Sequence, residues 1–303
     1  MQNTFFVVGQ TAAGKTAAAV ALAERWNGEI VSADAFQVYA GLDLLTAKPA
    51  AEELARAPHH LIRSVPLTAS YNVARFREEA LRCIAEIHLR GRWAIVAGGS
   101  GLYIKALTHG LSPLPSADPA LRAELDTLDA AELLARLRTL DPAAASTIDA
   151  LNKRRLVRAL EVCLATGKPV SNQRGEWARS EPQHARGVFL FRDRGELHER
   201  ISARVESMFS AGVLDEVRAL GENKLATSAE RIIGLADIRL HLAGKLDLAT
   251  CKDRIKAATR QYAKRQMTWF KREQVFEPVN LSLAEGHARM ASLADRRDCS
   301  NGA

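Results

Sequence analysis

The sequence predicts an α/β protein: a parallel sheet core interrupted by an inserted all-helical domain. Three observations carry that expectation. Short apolar runs alternate with helical patterns through the first hundred or so residues, as in strands joined by crossover helices. Gly9-Gln10-Thr11-Ala12-Ala13-Gly14-Lys15-Thr16 fits the phosphate-loop pattern G-x-x-x-x-G-K-[ST] between a strand and a helix, which makes the core P-loop NTPase-like. After Gly110 the chain changes character: three of its ten prolines fall between Leu111 and Pro119, and short helical patterns follow.

Taken in order, Phe5 to Val8 reads as a strand, Gly14 to Trp26 as an Ala-rich helix and Ile30 to Ser32 as a second strand. Phe76, Ala80, Ile84 and Ile87 recur at helical spacing and mark a helix from Phe76 to Leu89. Trp93 to Ala97 is a third strand, and Gly101 to Leu107 opens another helix. The insertion carries helical patterns at Arg122 to Leu128, Ala130 to Leu140 and Leu151 to Thr166. Val188 to Phe191 returns to the sheet, and two long helices follow near Glu196 to Ala211 and Lys252 to Glu273. The expected division is residues 1–112 as the first part of the core, 113–186 as the helical insertion, 187–280 as the remainder of the core and 281–303 as a weakly patterned tail. The polar end, Asp295 to Ala303, is expected to fray.

Composition narrows the class. The chain has 303 residues, 47% hydrophobic and 25% charged, an ordinary globular mixture that excludes a disordered or collagen-like chain. Its longest apolar runs are a handful of residues, against the ~18 that a membrane helix needs. No cleavable signal pattern opens the chain, so the cytoplasm is expected. The four cysteines have no C-x-x-C spacing, so neither a zinc site nor a disulfide framework is implied. His59-His60 is the one His pair, read as structural or exposed. The net charge is +7, and residues 251 to 272, with eight basic and one acidic side chain, hold all of it. On a helix, Ile255, Ala258, Tyr262 and Trp269 would form an apolar stripe with cations beside and opposite it. Basic side chains are mostly Arg, whose planar fork suits phosphate contacts.

The phosphate loop has a physical reason for each residue. Its glycines let the backbone wrap a diphosphate with amides pointing inward. Lys15 adds a point charge, Thr16 a hydroxyl for Mg²⁺, and the following helix its positive end. Such a loop specifies polyphosphate and not ATP. NTPases add an acid at the end of another strand, whereas Trp93 to Ala97 runs into Gly98-Gly99-Ser100-Gly101, with no carboxylate. Asp34 follows the second strand, at the end where ligands of open α/β sheets lie. It can be a Mg²⁺ ligand, a general base or a helix N-cap. Thr46-Ala47-Lys48-Pro49 places another cation on a loop.

Three segments together are more specific. G-Q-T-A-A-G-K-T, S-A-D-A-F-Q-V-Y with T-A-K-P, and G-G-S-G-L-Y-I-K-A-L resemble the tRNA dimethylallyltransferase (tRNA isopentenyltransferase) family. R-L-V-R-A-L-E-V at Arg155 to Val162 and T-R-Q-Y-A-K-R-Q-M-T-W-F-K-R at Thr259 to Arg272 agree. The resemblance implies transfer of a dimethylallyl group from dimethylallyl diphosphate to N6 of the adenosine just 3′ of the anticodon, adenosine-37, in tRNAs reading codons that start with U. Mg²⁺ would assist and pyrophosphate would leave, the loop holding the donor's diphosphate. No membrane and no obligate protein partner are implied.

By the same resemblance, Asp34 is the general base, Lys15 stabilises the leaving group and Ser100 stands where many members have Thr. Arg200 and Arg204 resemble arginines near the diphosphate. Contacts with the tRNA anticodon stem-loop would come from Asp34, Ala35, Phe36, Gln37 and Ser100; from Arg122, on the Pro-rich entry to the insertion; from Arg154, Arg155, Leu156, Val157 and Arg158; and from Arg231, Ile232, Ile233, Gly234, Leu235 and Ala236. Members often have Gly-Tyr where this chain has Gly234-Leu235. Two competing readings keep the same loop. A small-molecule kinase would use ATP there, and a non-catalytic RNA-binding protein would merely hold a nucleotide.

Overall fold

A computed structural model of the chain describes residues 3–111, 114–115, 118–172 and 185–295. It divides into two compact units: His109–Pro182, and Met1–Thr108 together with Gln183–Ala303. Residues 296–303, most of the segment expected to fray, lie outside the described residues, as do residues 112, 113, 116 and 117 of the Pro-rich stretch.

The larger unit is built on β1 (Thr4–Gly9), β2 (Gly28–Ser32), β3 (His59–His60), β4 (Trp93–Gly98), β5 (Arg186–Phe191) and β6 (Glu277–Asn280), in the spatial order β3-β2-β4-β1-β5-β6. Every pairing is parallel, and β1 lies between β4 and β5, with Val8 opposite Gly98 and Gly9 opposite Leu190. Side chains alternate between two cores, as the period of a strand requires. Phe6 and Val8 of β1 enter one core with Ala94 and Val96 of β4, while Phe5 and Val7 enter the other with Ile95. Burial on both faces explains why these strands read as continuous apolar runs. The edge strands were not visible in the sequence. β3 is two histidines long, and β6 carries Pro278, which an edge position tolerates.

Helices cover both faces. The helix α1 (Lys15–Trp26) packs on one core, with α13 (Ala284–Asp295) against it through Met290 and Leu293. On the other face, α3 (Val73–Leu89) buries Phe76, Ala80, Ile84 and Ile87, the four positions expected from spacing. It starts at Val73 because the Asn72 side chain caps the amides of Ala74 and Arg75. Between β2 and α3 lies α2 (Ala51–Arg56), and α4 (Gly101–Thr108) follows β4. After β5 come α9 (Arg194–Ser210), α10 (Val213–Arg218), α11 (Leu235–Leu242) and α12 (Leu248–Phe270).

The stripe that α12 buries differs from the expected one. Cys251, Ile255, Ala263, Gln266 and Phe270 face inward, while Ala258, Tyr262 and Trp269 are only half-buried. The helix is rotated so that a glutamine, not a tyrosine, meets the sheet.

The smaller unit holds α5 (Pro119–Thr127), α6 (Ala130–Leu140), α7 (Pro142–Thr147) and α8 (Lys153–Thr166) around Leu125, Leu133, Leu137, Leu156, Leu160 and Val162. Asp118, Asp129, Asp141 and Asn152 each accept backbone N–H bonds at the head of one of these helices. Arg122 therefore sits in a helix and not on a linker. It makes a two-pronged pair with Glu161, whose side chain is only 2% exposed, and Arg158 joins the same carboxylate at 3.2 Å.

Candidate active site

The phosphate loop leaves the C-terminal end of β1 and turns into α1. Gly9 has no alternative side chain, because a Cβ there would lie 2.0 Å from the Leu190 carbonyl oxygen. Ala12 and Gly14 adopt left-handed backbone, with φ of 61° and 105°, and this curls the loop so that successive amides converge. The amides of Lys15 and Thr16, in the first turn of α1, have no intrahelical acceptor. Lys15 reaches back to the Gln10 carbonyl at 2.8 Å. Burial pulls its ammonium down to about 8, with the charge of Asp34 opposing that shift and that of Arg204 adding to it.

Arginines brace the loop from α9. Arg200 donates to the Ala12 carbonyl at 2.8 Å, and Arg204 approaches the Thr11 hydroxyl at 3.4 Å. Burial lowers the Arg204 guanidinium, and the neighbouring Arg200 lowers it further. Arg192, which the sequence did not single out, donates to the Ala13 carbonyl at 3.1 Å and to the Leu281 carbonyl at 2.7 Å.

The second half of the site comes from the ends of β2 and β4, neighbours in the sheet. One carboxylate oxygen of Asp34 accepts from the amides of Phe36 at 2.9 Å and Gln37 at 3.3 Å. These bonds close a turn, with no helix for Asp34 to cap, and they occupy one oxygen only. The Ser100 hydroxyl accepts from the Ala35 amide at 3.0 Å, and the Ser100 amide donates to the Ala33 carbonyl at 3.3 Å. Asp34 and Ser100 are therefore held on one backbone framework. Gln37 is turned inward, donating to the carbonyls of Thr46 and Ala47.

The Gly-Gly-Ser-Gly run has a packing cause. A Cβ on Gly98 would lie 2.2 Å from the Ala33 oxygen, one on Gly99 would lie 2.1 Å from the Gln266 amide nitrogen, and one on Gly101 would lie 2.6 Å from the Trp269 indole. At Gly98 the end of β2 leaves no room for a side chain, and at Gly99 and Gly101 α12 leaves none.

Part of this set lines one cavity of about 370 Å³, whose lining includes neither Ser100 nor Arg192. Thr11, Lys15, Thr16, Asp34, Arg200 and Arg204 share it, and Ser32, His59 and Ile62 extend it along the α1 face of the sheet. Its far wall is the loop of Thr46 to Ala50. Lys48 on that loop is not an open cation: its side chain is buried, bonded to the Gly41 carbonyl and to Asp43 at 2.8 Å. His60 pairs with Glu29 at 2.7 Å, in accord with a structural reading, while His59 borders the cavity.

The remaining sequence-derived residues separate into three groups by burial. Leu156, Val157, Ile232 and Leu235 are buried, so their side chains pack in the two cores and cannot meet an RNA. Gly234 takes φ of 90° against Ile255 and Leu45. Arg154, Arg155, Arg231 and Ala236 are exposed, with Ala35, Phe36 and Ile233 half-buried.

Gln266 is the polar residue that the sequence reading missed. Its side-chain oxygen accepts from the Thr11 amide at 2.7 Å and its amide nitrogen donates to the Gly99 carbonyl at 3.0 Å. The only signal was its place in a segment read as an apolar stripe with basic flanks.

Comparison with known proteins gives a consistent result. A family model described as IPP transferase matches residues 37–273. The tRNA dimethylallyltransferase of Akkermansia muciniphila is 46% identical over 288 residues, covering 95% of this chain and 97% of that protein. That of Maricaulis maris is 41% identical over 305 residues, covering 98% and 99%. Among solved structures, the full-length tRNA isopentenylpyrophosphate transferase from Bacillus halodurans has a TM-score of 0.71 at 34% identity, covering 97% of this chain and 95% of its own. A eukaryotic dimethylallyltransferase acting on tRNA has a TM-score of 0.81 at 27% identity, covering 96% and 77%.

Proposed function

The chain belongs to the IPP transferase family, and from that premise we propose that it transfers a dimethylallyl group from dimethylallyl diphosphate to N6 of adenosine-37 in tRNAs reading codons that start with U. It is a prenyl-type transferase acting on tRNA. The observation that carries the finer reading is a single cavity shared by an anion cradle and a carboxylate, the charge of Asp34 being close enough to act on the Lys15 ammonium.

The transfer is a substitution at carbon. The adenosine N6 lone pair forms a bond to C1 of the allyl group, the C1–O bond to the diphosphate breaks, and its electron pair leaves with pyrophosphate. The N6 proton passes to the open oxygen of Asp34. Adenine's amine is a weak nucleophile because its lone pair is delocalised into the ring, so placement and proton removal both count. Lys15, Arg200, Arg204 and the loop amides take up the charge that develops on the leaving group.

The donor set fits Mg²⁺ bound mainly through substrate phosphates and water. The Thr16 hydroxyl lines the cavity, and among the described residues no group of three or more His, Cys, Asp or Glu side chains could hold an ion alone. When bound through Thr16, the ion would supply further neutralisation of the leaving group. Arg154 and Arg155, exposed on α8 of the insertion, are suited to phosphates of the anticodon stem-loop. Among the described residues no helix is long and apolar enough to cross a membrane. The tRNA substrate of the proposed reaction supports a cytoplasmic reading.

The test is direct. Purified protein, Mg²⁺ and labelled dimethylallyl diphosphate should label an unmodified tRNA carrying adenosine-37 and spare the same tRNA with guanosine there. Label on the second tRNA would overturn the assignment of the acceptor, and ATP turnover with the isoprenoid ignored would overturn the donor.

A further inference from the structure

Gln266 is the buried polar side chain that joins the two halves of the cavity. It is 4% exposed, near the C-terminal end of α12. Its oxygen takes the Thr11 amide of the phosphate loop, and its nitrogen gives to Gly99, next to Ser100. Gly99 has no side chain because this amide fills the space. A second bond from the same loop to the same helix, Gln10 Nε2 to the Ala263 carbonyl at 3.2 Å, fixes where Gln266 stands. The Tyr262 hydroxyl, one turn earlier, interacts with both Ser100 and Gln266. A polar chain therefore runs from Thr11 through Gln266 and Tyr262 to Ser100, and from Ser100 to the Ala35 amide beside Asp34.

We propose that Gln266 is a positioning residue for the transfer, setting the separation between the diphosphate cradle and the loop that holds Ser100 and Asp34. The proposal rests on the function given above. Its physical basis is that each half of the site hangs on a loop. Apart from the sheet register of β1 and β4, the bridge through α12 ties one loop to the other. A displacement of about 1 Å between reacting groups can cost ~100-fold in rate. A buried amide satisfied on both sides resists such displacement, because breaking either bond leaves an unpaired buried group. Gln266 also differs from the phosphate-loop residues in what its loss should do. Lys15 and the loop amides remain to bind pyrophosphate, so affinity persists while alignment is lost.

Two readouts test this on the full chain with Gln266→Met, which keeps the length and removes both bonds, and Tyr262→Phe, which keeps the ring. In single-turnover transfer to tRNA, Gln266→Met should lower the rate about 30- to 100-fold, with pyrophosphate affinity changed by less than about threefold. Tyr262→Phe should lower it less, and the double variant should fall short of the product of the two effects, as for groups in one network. Independently of any reaction, pyrophosphate should slow amide hydrogen exchange at residues 98–104 and 33–39 in the natural protein, and at the phosphate loop alone in Gln266→Met. Equal loss of rate and pyrophosphate affinity, an unchanged rate, or transmission of protection to residues 98–104 in Gln266→Met would each overturn the proposal. If Gln266→Met does not fold, Tyr262→Phe decides: full rate and full transmission in that variant refute the chain. Transmission in the natural protein without any prenyl transfer would sink the reaction and leave the bridge standing.

Discussion

Glu29 and Asp34 stand at opposite ends of the same strand, and the fold treats the two carboxylates in opposite ways. Glu29, its side chain 4% exposed at the start of β2, takes Arg90 at 2.7 Å, Arg92 at 3.1 Å and His60 at 2.7 Å. The Arg90 bonds, helped by His60 and opposed by burial, hold its carboxyl down to about 2. Asp34, just beyond the end of β2, takes two backbone amides on one oxygen, and among the described residues no cation is paired with it in a salt bridge. On the proposed reading Asp34 accepts a proton during turnover, and its second oxygen is left without a salt-bridge partner for that purpose. A carboxylate that only has to hold a strand end is saturated with cations. The insertion repeats the second arrangement with Glu161, Arg122 and Arg158, so those two arginines serve its packing first.

The contrast can be broken at three points. Asp34→Asn removes proton acceptance while leaving an acceptor for the Phe36 and Gln37 amides. The transfer rate should fall about 10²- to 10⁴-fold with thermal midpoint and tRNA affinity nearly unchanged. A matching loss of stability would make Asp34 structural like Glu29. Glu29→Gln should do the reverse, costing about 3 kcal/mol because buried pairs are broken, or roughly 6–12 °C in midpoint, with the transfer rate intact in calorimetry-matched samples below the transition. The sign with pH follows from its shift. With the folded value near 2 and the ordinary value 4.5, this stabilisation is complete above about 4.5 and fades as pH falls toward 2. Acid titration of the natural protein should show that loss, and Glu29→Gln should lack it.

The smallest effect concerns Lys15. Burial lowers its ammonium to about 8, and a diphosphate bound beside it would raise it again. Pyrophosphate binding should therefore take up a proton, with affinity falling at most about tenfold per unit as pH rises above 8. Calorimetry in buffers of different ionisation enthalpy measures that uptake, and Lys15→Met should abolish it. Uptake persisting in Lys15→Met would assign the proton to another group.

The sheet strands β1, β2, β4 and β5 were legible because burial on both faces writes short uninterrupted apolar runs, and the phosphate loop because its geometry admits few residues. Asp34 and Ser100 were legible as chemistry but not as a pair, since their meeting depends on β2 and β4 being neighbours. β3 and β6 left no pattern, being two polar residues and a proline-bearing edge. The rotation of α12 was misread for a related reason. Helical spacing counts apolar side chains, and the position that meets the sheet is a glutamine whose amide is satisfied by loops distant in sequence. Leu156, Val157, Ile232 and Leu235 show the converse limit, where a matching segment includes residues that face its own core.

The crowding at Gly98, Gly99 and Gly101 limits what can be built there. A first side-chain carbon would collide with the Ala33 carbonyl, the Gln266 amide or the Trp269 ring, which leaves Ser100 as the one position of the run that carries a side chain. The proposed isoprenoid transfer asks for no further acid at that strand end, so the tight packing costs it nothing.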